Sequence, residues 1–335
     1  WERHQWRIAT GMRQQRFDSS ESKNFGPGVI DGSDPVVDGS LTDVSNSEFV
    51  FVQDVSRKIK YVSLQDEWQI QADWKLTAGV RYDDYSDFGS TTNLRGALIW
   101  VANEKLTTKM LYGSAFRAPS FSEQFNRNNP VVIGNPNLNP EVIDTYELVA
   151  NLNLQENLQS SISLFSFDAE DMIEYVPDVG SPTNTAQNVG DLKGYGAEWE
   201  IRWDVSNDLQ LKGNYSWQSV EDTQSGENVA EAPQSQLFIN AGWRYCSVCY
   251  MNAAFNWVAQ RDRERANGDE RKSLDDYFNI DLTLDFLIPR TSIKATLAFR
   301  NITDEERREP SDGQSVMEDF PLEGRSAWVS TSYQF

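Results

Sequence analysis

Apolar and polar residues alternate with a period of two along most of this 335-residue chain, and that pattern constrains the fold more than any other feature. From Tyr277 to Phe286, Phe278, Ile280, Leu282, Leu284 and Phe286 fall on one side, and Tyr277, Asn279, Asp281, Thr283 and Asp285 on the other. Between Ser292 and Arg300, Ile293, Ala295, Leu297 and Phe299 oppose Lys294, Thr296, Ala298 and Arg300. Ala197, Trp199, Ile201 and Trp203 oppose Glu198, Glu200, Arg202 and Asp204; Trp74, Leu76, Ala78, Val80 and Tyr82 oppose Lys75, Thr77, Gly79, Arg81 and Asp83. A β-strand, which sends successive side chains to opposite faces, produces this pattern, and a helix does not. The same reading predicts strands near 4–17, 49–71, 74–87, 92–102, 105–117, 141–154, 157–176, 187–204, 207–220, 233–245, 249–262, 274–288, 291–302 and 322–335, fourteen in all.

The connections between these strands come in two alternating lengths. Ala72-Asp73, Ala102 to Glu104, Gln155-Glu156, Val205 to Asn207, Cys246 to Cys249 and Ile288 to Arg290 are tight turns, whereas 18–48, 118–140, 177–186, 221–232, 263–273 and 303–321 are long and polar. Short turns at one end and long loops at the other are the signature of a bacterial outer-membrane barrel. A soluble β-sandwich has no reason to segregate its loop lengths. Trp74, Trp100, Trp203, Trp243, Tyr245, Tyr250 and Phe286 gather near the short turns, as the aromatic girdle of a membrane interface would. No stretch approaches the roughly 18 uninterrupted apolar residues of a membrane helix, but a barrel strand needs only every second residue apolar. The expected fold is therefore an all-β, antiparallel transmembrane β-barrel. The N-terminus lacks an initiator Met and a signal peptide, so the chain is expected to begin inside a longer protein.

Several function classes drop out. Asp and Glu number 51 against 30 Lys and Arg, a net charge of −21, which argues against a nucleic-acid partner. His4 is the single histidine and stands outside any recognisable catalytic motif, so Ser/His or Cys/His catalysis is not expected. Paired catalytic carboxylates are also not expected: Asp83 and Asp84 point to opposite faces, and Glu198 and Glu200 line a wet wall. Cys246 and Cys249 form a single C-x-x-C without a second ligand pair, which suits a tight turn, free or disulfide-bonded, better than a zinc site. No metal or cofactor is called for.

Three stretches resemble the C-terminal half of TonB-dependent receptors, in that family's order. They are Leu64 to Trp68 with Leu76 to Asp83; Tyr112 to Glu123 leading into Gly134-Asn135-Pro136-Asn137-Leu138-Asn139-Pro140-Glu141; and Arg300 to Asp304 with Gly324-Arg325-Ser326 and the aromatic end Phe335. The resemblance implies that 1–335 is the C-terminal part of the receptor barrel domain, about fourteen strands of 22. The plug and the segment that engages TonB would lie in the missing part. It also implies an importer in the outer membrane of a Gram-negative bacterium, set in lipid and lipopolysaccharide and without enzymatic activity. Its ligand would be an extracellular metal chelate, most commonly a ferric siderophore. A passive 14-stranded porin or fatty-acid channel is the rival reading.

Candidate ligand contacts are Arg117, Phe121, Phe125 and Arg127 in the second long loop and the basic run Arg261, Arg263 and Arg265, since arginine forks and aromatic faces suit flat anionic chelates. For Arg117 and Phe121 the favoured role is to shape the loop base. Arg81, Asp83, Glu198, Glu200, Arg202, Asp281, Asp285 and Lys294 are expected to face the lumen and the plug.

Overall fold

Strict alternation becomes strand in all fourteen places: β1 (His4–Phe17), β2 (Val55–Gln71), β3 (Trp74–Tyr85), β4 (Gly89–Asn103), β5 (Leu106–Arg117), β6 (Glu141–Gln155), β7 (Leu158–Pro177), β8 (Asn184–Asp204), β9 (Leu209–Asp222), β10 (Ser235–Cys246), β11 (Cys249–Ala259), β12 (Tyr277–Leu287), β13 (Ile293–Arg300) and β14 (Ser326–Tyr333). The computed structural model describes all residues except 1–2, 35, 231, 264–272, 312–315, 317 and 334–335. Hydrogen-bonded neighbours follow chain order from β1 to β14. Two short helices, α1 (Pro27–Asp31) and α2 (Phe121–Phe125), lie in the first two long loops.

The chain divides into two units. The first comprises 1–97, 111–145 and 168–192. Here β1, β2 and β3 run antiparallel, with Ile8 opposite Leu64, Leu64 opposite Val80 and Val62 opposite Tyr82. These side chains share one face and stay exposed. The second unit comprises 98–110, 146–167 and 193–335. In it Leu282 lies opposite Phe299, and Leu284 opposite Leu297, which itself meets Val329. On the other face Lys294 approaches Asp285 at 3.0 Å and Thr296 donates to Asp285 at 2.6 Å. Sheet faces that keep such large apolar side chains exposed are suited to an apolar solvent. The buried apolar residues Val44, Val50, Val52 and Leu138 instead sit in the long loops.

Of the strand boundaries that differ from expectation, three have a visible cause. Residues 49–54 are not strand, because the loop layer covers Val50 and Val52 and uses the Phe51 carbonyl, which accepts from the Arg127 amide at 2.9 Å. β11 stops at Ala259, where Gln260 turns to φ 57°, and Arg261–Asp262 pairs with Ser273–Leu274 as a separate ribbon. β14 begins only at Ser326, behind the hydrogen bond that the Arg325 amide gives Asp304.

Cys246 and Cys249 are disulfide-bonded across the two-residue turn between β10 and β11. Trp243 and Tyr245 share a face, their rings 5.8 Å apart. Tyr250 does not join them: it pairs with Asp285 and lies across Gly242 on the charged face.

Candidate functional site

In the first unit the loop after β5 folds into a braced module. Ser120 and Glu123 close a capping box on α2, the Ser120 hydroxyl accepting from the Glu123 amide at 3.2 Å and Glu123 accepting from the Ser120 amide at 2.7 Å. Arg117, at the end of β5, donates to Glu123 at 3.0 and 3.1 Å and forms a second fork onto Glu141. Glu141, nearly buried, also accepts from the Ile173 amide of β7 at 2.8 Å. Burial pushes the Glu123 carboxyl up, but donors from Arg117 and Ser120 more than offset this and hold it below its ordinary value. The returning segment passes so close that a β-carbon on Gly134 would stand 2.7 Å from the Asn126 nitrogen.

Arg57 fixes this module to the sheet from beneath. Its Nε donates to Asp87 at 2.6 Å, and its Nη2 donates to the Pro119 carbonyl at 2.6 Å and to Gln124 Oε1 at 2.9 Å. The guanidinium carbon stands 4.9 Å from the Phe121 ring centre and 5.2 Å from that of Phe88. Neighbouring loops join the module: Asn128 Nδ2 donates to the Val50 carbonyl at 2.8 Å, and Val132–Ile133 pairs in parallel with Asn184–Thr185. Phe121 packs near Phe17 and Phe125, with ring centres 6.3 and 6.4 Å away. Arg127 is exposed. The contacts of Arg117 and Phe121 thus lie at the base of the loop.

In the second unit Arg261 is 2% exposed and donates to the Arg308 carbonyl at 2.7 Å, the Asp275 carbonyl at 3.0 Å and Glu309 at 3.2 Å. It also lies 4.6 Å over the Tyr277 ring. Arg263 forks onto Asp319 and donates to the Ser273 carbonyl at 2.6 Å. Both arginines therefore tie the loop after β11 to the loop after β13. Arg265 lies outside the described residues. A cavity of about 230 Å³ between these loops is lined by Arg261, Arg263, Arg308, Tyr277, Glu306 and Asp319.

The predicted wall residues lie on charged faces. Arg81 grips the buried Asp83 at 2.7 Å and stacks 4.1 Å over Tyr61. Asp281 accepts from the Asn301 amide at 2.9 Å and meets Arg300 at 3.5 Å. Arg202 approaches Asp204 at 3.6 Å, and Glu198 and Glu200 are exposed. In the first unit Arg7, Arg81 and Arg95 line a hollow of about 400 Å³ with Gln65, Asn93 and Ser114. In the second, Glu200, Arg202 and Lys212 line one of about 450 Å³ with Asn151, Ser161 and Asn214. Among the described residues no group of three His, Cys, Asp or Glu could hold a metal ion.

Sequence reasoning missed Arg57, Asp87, Gln124 and Asn301. Arg57 meets partners 30, 62 and 67 positions away, which no local pattern reveals. Asn301 did carry a signal, since it stands in the quoted Arg300 to Asp304 stretch; it is fully buried and holds both the amide and the carbonyl of Glu305.

A family model described as TonB dependent receptor-like, beta-barrel matches residues 3–302. The chain is 26% identical over 286 residues to the vitamin B12 transporter BtuB of Vibrio cholerae, covering 84% of this chain and 43% of that protein. It is 26% identical over 298 residues to the iron-regulated outer membrane virulence protein of Vibrio cholerae, covering 81% and 44%. The siderophore receptor PirA of Acinetobacter baumannii shares the fold, with a TM-score of 0.75 and 16% identity over 99% of this chain and 52% of that one. The chain thus spans about half the length of the proteins it matches.

Proposed function

Because the chain belongs to the TonB-dependent receptor family of Gram-negative outer-membrane β-barrels, we propose that the protein it represents is a ligand-gated importer of a ferric siderophore, energised through TonB. The observation that carries this reading is the family match over 3–302. The iron-regulated relative and the siderophore-receptor fold support an iron chelate as cargo. In this reading residues 1–335 form the C-terminal part of the barrel. The order of the three motifs and the share of the relatives that is spanned support that placement.

The residues then have definite tasks. Long loops capture the chelate outside the cell, and the module held by Arg57, Arg117 and Glu141 keeps the loop base rigid while the tips close. Arg127 and the aromatic edge of Phe125 are the ligand contacts of the second long loop. Arg261 and Arg263, bonded to carbonyls and carboxylates of the later loops, brace those loops instead, leaving Arg265 as the ligand contact that the basic run offers. The charged faces bearing Arg81, Asp83, Glu198, Glu200, Arg202, Asp281, Asp285 and Lys294 form the wet wall against which a polar plug rests until TonB pulls it aside. None of these groups breaks a bond. The opposite faces meet lipid and lipopolysaccharide.

Cobalamin is the second reading, favoured by the BtuB relative at the same identity. The test is growth of a deletion strain, with and without TonB, on ferric siderophores, haem and cobalamin as single sources. Loss of growth on one ferric siderophore, reproduced by loss of TonB, is expected. Loss on cobalamin alone selects the second reading, and uptake that persists without TonB would move the protein to the passive channels.

A further inference from the structure

The short turns of this chain are fastened in two different ways. At Ala72-Asp73 the β2–β3 ladder shifts register between Gln69 and Gln71, and the Gln69 amide clamps the turn by donating to the carbonyls of Gln71 at 2.6 Å and Trp74 at 3.2 Å. Asn157 Nδ2 donates to the Asp204 carbonyl at 2.9 Å. Ser206 Oγ accepts the Asp208 and Leu209 amides at 3.2 and 3.1 Å, and Thr291 Oγ1 donates to the Ile288 carbonyl at 2.8 Å. The turn Ser247-Val248 also follows a register shift, between Trp243 and Cys246. There the side-chain hydrogen bond is the Val248 amide on Cys246 Sγ at 3.4 Å, and sulfur is a weak acceptor.

The local sequence does not hold this turn by itself. Two-residue hairpin loops that match strand twist require positive φ, usually from Asn-Gly or Asp-Gly, and neither Ser247 nor Val248 adopts it. A β-branched valine is poorly suited to such a position. The Cys246–Cys249 bond supplies the missing constraint between directly opposed residues. Short turns of outer-membrane barrels face the periplasm, an oxidising compartment.

We propose that Cys246 and Cys249 are an oxidative modification site, closed by a periplasmic dithiol oxidase, and that this bond does for the β10–β11 hairpin what Gln69 does for the β2–β3 hairpin. One cysteine thiolate attacks the oxidase disulfide to give a mixed disulfide. The second thiolate attacks the receptor sulfur of that bond, and the oxidase leaves as its dithiol, carrying the two electrons and taking up the two protons that the receptor cysteines give up. The inference rests on the membrane orientation of the family, and is independent of the cargo.

The experiment uses the full-length receptor in cells, comparing wild type, Cys246→Ser/Cys249→Ser, and that double variant carrying Ser247→Asn and Val248→Gly. Maleimide labelling of denatured protein counts free thiols, and pulse-chase conversion to the heat-resistant folded form gives the assembly rate. Wild type is expected to lack the two thiols in normal cells and to show them in cells without the oxidase. The serine variant should assemble on the order of tenfold more slowly, the cost of closing a four-residue loop without its cross-link. The Asn-Gly variant should recover most of that rate, because a twist-matched turn replaces the bond. Free thiols in normal wild-type cells, an unchanged rate for the serine variant, or no recovery with Asn-Gly would each overturn the proposal.

Discussion

Replacing Arg57 with alanine tests the braced loop module most directly. The side chain is 6% exposed, and its loss leaves the Asp87 carboxylate, itself largely covered, without its cation. It also removes the donor to the Pro119 carbonyl and to Gln124, a residue 1% exposed. Breaking a buried pair from one side costs about 4 kcal/mol, roughly a thousandfold in the equilibrium between closed and open loop. Amide exchange followed residue by residue reads that equilibrium. The reporters are Gln124, Asn126, Gly134 and Asn135, whose amides are bonded within the module at 3.1, 3.1, 2.6 and 2.8 Å. Arg57→Ala should lower their protection by roughly that factor while the β12–β13 ladder stays protected. Arg57→Lys keeps the charge but not the planar fork, and should fall between the two. A loss below tenfold at these amides, or one spread equally over β12 and β13, would refute the view that Arg57 holds the loop to its sheet.

Glu123 sets a pH limit on the same module. Its carboxyl is held below 4.5, so its contribution is complete above that value and is lost as pH falls through the lowered one. Glu141, bonded to the same Arg117, is likewise held below its ordinary value. Loop protection should be flat from neutral pH to about 4.5 and decline beneath it, and Glu123→Gln should remove part of that decline and leave the part due to Glu141; a wild-type decline beginning near pH 6 would assign the effect to another group. Leu282→Arg should destabilise folding into lipid vesicles by about 2–4 kcal/mol and Thr283→Arg by under about 1 kcal/mol, measured by denaturant titration. Equal costs would mean that the two faces meet the same solvent. Arg263→Ala and Asp319→Ala should couple by about 2 kcal/mol in a double-mutant cycle read from local exchange, since both side chains are nearly covered; additive effects would show that the two loops are not joined there.

The alternation and turn spacing were enough to locate all fourteen strands, because a period-two pattern is local and a sheet face exposed to apolar solvent tolerates no register slip. The same pattern separated the apolar row of Leu282, Leu284 and Leu297 from the charged row of Asp285 and Lys294. It misread Phe49 to Val52 as strand because apolar residues in a folded loop layer look the same in sequence as those of a strand. The second quoted motif marked Arg117, Gly134 and Glu141 by their order alone; only the fold showed that one guanidinium joins two carboxylates, and that Gly134 lies against the α2 backbone. Arg57 had no local mark, since a buried arginine is stabilised by partners that chain folding brings from far away. The sequence by itself therefore determined where the fourteen strands lie and the faces of their regularly alternating stretches, properties set by nearest neighbours along the chain, but not the face of Tyr250 behind the register shift. Tertiary structure alone decided which charges neutralise one another, which arginines remain open to a ligand, and that Cys246 and Cys249, already placed in a tight turn by the sequence, are bonded to each other, because each depends on distances that the order of residues does not contain.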